Sequence, residues 1–379
     1  MTGWGWLGDL FLDALKMTIL PLVVTAILTG IAPLGASHRV GRAGALTGAF
    51  IIGSTLLATT TGVVLAGIVA PGAGVVSLPG TAPAAAPATG GSTFEEIVRT
   101  LVSANLVQAA AQGQILPILL FALLLALALA GLGTRARPVV EVVEVFNDAL
   151  MRVIHWILYL APLGIFALLA ARFGALGGEG FWREITSVGR YVATVIAGLG
   201  LHFIWLCLLL GLAGQAPVAY AVRFLRALVT AFGTGSSAAT LPVAMDCARE
   251  AGVGAATVNF VLPLGTALNR NGTALYQAVA TLFIAQAHGF DLPLAQQVVV
   301  VITAALAGIA TAGVPQHGLV NMIIVLSAVH LPAEGIGLIL AVDWFLDRCR
   351  TVINVWANGA GAALVQRLAH VPPDTREPG

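Results

Sequence analysis

With 379 residues, 58% hydrophobic and 9% charged, the chain cannot build the polar surface of a soluble globule, which carries about 25% charged residues. A net charge of +1 excludes a polyionic partner such as nucleic acid, and Cys207, Cys247 and Cys349 are too scattered for a disulfide framework or a metal site. The bilayer is the remaining solvent, and long apolar stretches without period-2 alternation predict an all-α membrane protein of many spans.

Residues 9–35 are predicted to form a first span, with no sign of a cleavable leader, and 43–70 a second that ends at Pro71. Residues 71–92, rich in Pro, Gly, Ala and Ser, predict an irregular loop. A Leu/Ala span follows at 115–133, an amphipathic helix at 142–172 and a further span at 188–213. Asp148 and His155 share a face of the amphipathic helix, where polar contacts explain them better than catalysis. Lys and Arg mark the loops at 39–42, 135–137 and 223–226, whereas 71–98 has none. The positive-inside rule therefore places the basic loops and the C-terminal tail in the cytoplasm and 71–98 outside. The expected location is the cell (inner) membrane, crossed several times.

From residue 217 the pattern changes. The segment 217–250 is broken at Gly233–Ser237, 255–288 at Asn269–Thr273 and 294–330 at Thr311–Gly318. Broken segments at membrane depth are tolerated where they are buried or line a cavity. Two of them, at Gly233–Ser237 and Thr311–Gly318, flank the polar segment 255–288 and point to inverted repeats with a substrate site between them. A kinked helix packed on its neighbours is the bland alternative.

The last helix, 335–369, places Asp347, Arg350, Asn354 and Asn358 at i, i+3, i+7 and i+11, on one face. Charges at membrane depth cost about 2.5–3.5 kcal/mol each on insertion scales and imply function. Asp347 suits an ammonium, Arg350 takes a carboxylate through two parallel hydrogen bonds, and Asn354 both donates and accepts. The alternative is an internal Asp347–Arg350 ion pair that serves packing, with Asp343 and Arg348 offering similar pairing nearby.

Four stretches in this order carry a resemblance: Gly233 to Pro242, Asn269 to Tyr276, Ala312 to Gly318 and Val342 to Thr351. The chain resembles the dicarboxylate/amino acid:cation symporter family, which includes excitatory amino acid transporters and archaeal aspartate transporters. Inverted repeats are a known feature of an archaeal member. The resemblance implies two re-entrant hairpins, an elevator motion and a homotrimer. It also implies a scaffold from residues 1–42 and from 71–184, which includes the external loop. The transport domain would hold 43–70 and 185–369, with 370–379 as a cytoplasmic tail. Substrate would be an acidic amino acid, aspartate or glutamate, or a dicarboxylate. It would be held by Ser236, Ser237, Thr273, Val314, Gly318, Asp347, Arg350 and Asn354. Arg350 favours an acidic substrate, and Asp347 favours an amino acid over a plain dicarboxylate. No organic cofactor is expected, and Na+ is the coupling ion that the family implies.

The departures concern that ion. The family motif Asn-Met-Asp-Gly-Thr reads Asn269-Arg270-Asn271-Gly272-Thr273 here, and Asn358 stands where an Asp is usual. Two sodium-ligating carboxylates are thus replaced by amides. Gly265, Asn269, Asn354, Asn358, Ser54 and Thr55 still offer oxygens to sodium. The Arg270 guanidinium is expected to stand in for one cation, which makes sodium coupling weak or shifts it to protons; the alternative turns Arg270 toward an acid. Gln277 replaces a proton-binding Glu of the excitatory transporters. His317 at the expected gate is a candidate proton site, although a lone His there is more often a polar loop residue. The family has one more N-terminal span before the segment at Gly8, implying a late start or an incomplete scaffold. An anion-conducting member and a transport-dead binding homologue are the competing functions, and no catalytic set supports an enzyme.

Overall fold

The computed structural model describes residues 5–32, 42–73, 75, 101–174, 178–309, 317–332 and 336–369. All regular structure among them is helical. In chain order the helices are α1 Gly5–Ile31, α2 Arg42–Val69, α3 Leu106–Ala111, α4 Ile115–Gly131, α5 Arg137–Tyr159, α6 Ala161–Gly174 and α7 Gly178–Leu212. They continue as α8 Pro217–Thr234, α9 Ser237–Glu250, α10 Ala255–Leu268, α11 Asn271–Ala287, α12 Leu294–Ile309, α13 His317–Ala328 and α14 Ile336–Ala369. Most of the loop expected at 71–92 lies outside the described residues.

Helices α1, α2 and α7 are long and apolar enough to cross a bilayer. The 28 residues of α2 extend about 40 Å at 1.5 Å per residue, more than the roughly 30 Å hydrocarbon core. The single helix expected at 142–172 is two helices, α5 and α6, parted at Leu160. The reason is Pro162, which has no N–H to give the Leu158 carbonyl. Pro138, by contrast, sits in the first turn of α5, where its missing N–H is harmless.

The helices pack as two groups. In one, α1 lies against α4, α5 and α6. In the other, α2 and α7 to α14 surround α11, with α2, α7, α12, α13 and α14 all against it. Every residue of α11 from Asn271 to Ala285 is buried, polar ones included. The groups meet mainly where α13 touches α1 and α4 and where α6 touches α14.

Candidate functional site

Three chain breaks were predicted, and two are described. Helix α8 ends at Gly235, whose φ of +60° is a left-handed conformation open to glycine. The chain turns through extended Ser236 into α9, and the two helices lie side by side as a hairpin. Ser236 caps α9: its Oγ accepts from the Ala239 N–H at 3.2 Å. Ser237 Oγ is buried and has no hydrogen-bond partner, so it remains open to a ligand. The tip lies on α14, since a Cβ at Gly235 would be 3.7 Å from Asp347 Oδ2.

The second break lies between α10 and α11, at Asn269 and Arg270. Asn354 of α14 bolts it down: its Oδ1 accepts from the Gly272 N–H at 2.8 Å, and its Nδ2 donates to Thr273 Oγ1 at 3.2 Å. The first of these bonds satisfies an amide that a helix start leaves unpaired. Contact is so close here that a Cβ at Gly265 would meet Asn358 Oδ1 at 2.7 Å. Asn354, Thr273, Gly265 and Asn358 are therefore brought together by α10, α11 and α14.

Along α14, Arg350 donates to Asp347 Oδ1 at 2.7 Å and stands 3.2 Å from Asp343 Oδ1. Its side chain is 1% exposed, against 3% for Asp343 and 15% for Asp347. The guanidinium carbon lies 3.9 Å from the centroid of the Tyr276 ring on α11, a cation–π contact in a desolvated place. Tyr276 in turn meets Tyr191 of α7 edge-on, with ring centroids 6.3 Å apart. Arg350 Nε and Nη1 have no partner, which leaves donors for an incoming carboxylate. The internal ion pair is thus present, and Asp343 joins it. Arg348 does not; it donates to the Trp344 carbonyl and stacks over that indole.

Arg270 is buried at 4% exposure. Among the described residues it forms no ion pair, so the alternative of a partner acid is not realised. Its Nη2 donates to the Thr266 carbonyl in the last turn of α10, and its Nε is unpartnered. A cation there faces the negative end of the α10 dipole and carbonyls that lack helical partners.

The oxygens offered to sodium fall into two places. Ser54 and Thr55 of α2 gather around the Asn pair: Thr55 Oγ1 donates to Asn271 Oδ1 at 2.9 Å and lies 3.4 Å from Asn269 Oδ1, with Ser54 Oγ at 3.5 Å. Gly265, Asn354 and Asn358 form the other place, where Asn358 Oδ1 has no donor. Neither contains a carboxylate among these residues. The donor set is neutral and the nearest fixed charge in the sequence, Arg270, is positive, a poor match for a hard cation.

Sequence reasoning missed His202. It is fully buried on α7, and Asn271 Nδ2 donates to its Nε2 at 3.1 Å. A polar ring in an apolar span was the only available signal. Tyr276 was noticed only as the end of a motif, and Asp343 only as a neighbour. Val314 lies outside the described residues. His317 and Gly318 stand in the first turn of α13, where the His317 side chain is not among those described.

The chain matches the sodium:dicarboxylate symporter family over residues 2–368. It is 33% identical to excitatory amino acid transporter 3 of Mus musculus, across 96% of this chain and 78% of that relative. It is 32% identical to excitatory amino acid transporter 1 of Ambystoma tigrinum, across 96% and 76% of the two chains. Neutral amino acid transporter B(0) of Bos taurus is 35% identical across 95% of this chain and 72% of its own length. Matches of this extent make the protein a membrane transporter rather than an enzyme, and the chain belongs to the sodium:dicarboxylate symporter family.

Proposed function

We propose that this transporter carries acidic amino acids, aspartate or glutamate, with Arg350 holding the side-chain carboxylate and Asp347 the amino group. The observation that carries this is the Arg350 environment: a buried guanidinium with two unpartnered nitrogen positions, stacked on Tyr276 and salt-bridged to Asp347. An arriving carboxylate takes the place of Asp347 on Arg350, and the freed Asp347 then meets the ammonium. Each buried charge keeps a partner throughout, which avoids the several kcal/mol that an unpaired ion costs. Ser237, Thr273 and Asn354 line the same region, and the resemblance to the family adds Val314 and Gly318 to the set.

The division into two packed groups supports an elevator arrangement. Helices α1, α4, α5 and α6 would serve as a trimeric scaffold, and α2 with α7 to α14 as the moving body. The α8–α9 pair and the segment from α12 to α13 would be its re-entrant hairpins. Sodium coupling is weakened relative to the family because Asn271 and Asn358 are neutral and Arg270 already supplies a positive charge beside the break.

The test is uptake by purified protein in liposomes, with labelled aspartate and unlabelled competitors. Aspartate and glutamate should compete at least tenfold better than alanine or serine. Equal competition by neutral amino acids would overturn the acidic assignment.

A further inference from the structure

The four charges at the site, on α11's N-cap and on α14, balance without any bound ion. Arg270 and Arg350 contribute two positive charges at the site. Asp343 and Asp347 contribute two negative charges, one wholly buried and one nearly so. The sum at the site is zero. Glu184, the other buried carboxylate among the described residues, lies near the beginning of α7, next in sequence to exposed Arg183. The other polar side chains around the Asn269–Asn271 break are uncharged amides and hydroxyls, with His202 as a hydrogen-bond acceptor.

Two consequences follow from electrostatics. First, the substrate-free body carries no net charge at its centre, so it can cross the low-dielectric interior empty. Second, Arg270 is covalently attached. It supplies a cation's field at the end of α10, yet it returns with the body in every cycle and releases nothing on either side. A coupling ion transmits the energy of its gradient only because it binds and dissociates. Over a full cycle the net charge moved is then the charge of the substrate alone.

We infer that this chain moves an acidic amino acid as an uncoupled monoanion, with the membrane potential setting the direction. This rests on the acidic-substrate reading above and goes beyond it. A potential negative inside drives such an anion outward, so the chain works as an exit route for acidic amino acids and not as a concentrating pump. One elementary charge across 100 mV is worth about 2.3 kcal/mol, equivalent to about a 50-fold concentration ratio.

The experiment uses the full chain in liposomes free of sodium, with a potassium diffusion potential set by valinomycin and labelled aspartate as probe. At 100 mV positive inside, aspartate should accumulate toward that roughly 50-fold ratio. Reversing the potential should empty preloaded vesicles, and adding a sodium or proton gradient at zero potential should produce no accumulation. Arg270→Met gives the empty site a net charge of −1 and the loaded site −2, against 0 and −1 for the native chain, so its sodium-free, potential-driven flux should fall at least tenfold. Accumulation driven by sodium or protons at zero potential would overturn the inference while leaving the acidic substrate in place. Aspartate exchange that ignores the potential would do the same. If neither aspartate nor glutamate binds or moves under any gradient, sodium included, the substrate reading fails and the inference falls with it.

Discussion

Gly272 and the Arg350 backbone are in such close register that a Cβ on Gly272 would lie 2.5 Å from the Arg350 carbonyl oxygen. The first turn of α11 thereby touches the middle of α14 where both carry site residues. Gly272→Ala forces a methyl against backbone, which no side-chain rotation relieves. Overpacking of this kind costs about 1–3 kcal/mol. The melting temperature in detergent should fall, and aspartate should no longer raise it. An unchanged melting curve would mean that α14 yields at this point.

Asp343 and Asp347 both serve Arg350, but their exposure differs. Asp343→Asn removes a carboxylate from a wholly buried pair, a change of about 3–5 kcal/mol in such settings. Its main effect should be on thermal stability. Asp347→Asn, at the more open edge, should cost aspartate affinity far more than stability. Measuring melting and binding separately for both variants distinguishes the two roles.

Asn354→Ala leaves the buried Gly272 N–H and the Thr273 hydroxyl without their partner. An orphaned buried donor costs about 1–3 kcal/mol. At least a tenfold rise in the half-saturating aspartate concentration is expected, read from uptake kinetics. Unaltered kinetics would remove Asn354 from the site.

His202 of α7 holds the Asn271 side chain at the start of α11. His202→Leu strands the Asn271 amide, whereas His202→Gln keeps an acceptor on the same helix. Leucine should lower the maximal uptake rate and the melting temperature together, and glutamine should restore most of both. If leucine is as active as histidine, the bond at 3.1 Å is incidental.

Restoring the family's charges should restore its ion. The triple variant Arg270→Met, Asn271→Asp and Asn358→Asp removes the tethered cation and supplies two carboxylates. Uptake of aspartate by this variant should depend on sodium, with no flux in choline buffer. Sodium-independent uptake by the triple variant would show that these three positions do not govern coupling.

Much of this was legible in the sequence because it is local. The breaks at Gly235 and Asn269 were announced by residues that helices reject, and the Asp347 to Asn358 face by simple helical spacing. Contacts between distant elements were not legible. Nothing in the sequence says that Arg350 will lie on Tyr276, or that a histidine of α7 will hold an asparagine 69 positions away. Such pairs are selected by how helices pack, and periodicity constrains only which face each helix turns inward. The division of 142–172 was missed because amphipathic spacing continued through it. Pro162 was the local signal that outweighed the pattern.

The complete enclosure of α11 also bears on how the protein is made. Asn271, Gln277 and Thr281 are wrapped on all sides by neighbouring helices. In lipid these polar side chains would be unsolvated until those neighbours arrive. α14 comes after α11 in the chain, and Asn354 is the residue that ties the start of α11 in place. The group of helices around α11 therefore cannot mature span by span during synthesis. A chain truncated before residue 336 should insert with α11 incompletely covered and be recognised by quality-control proteases.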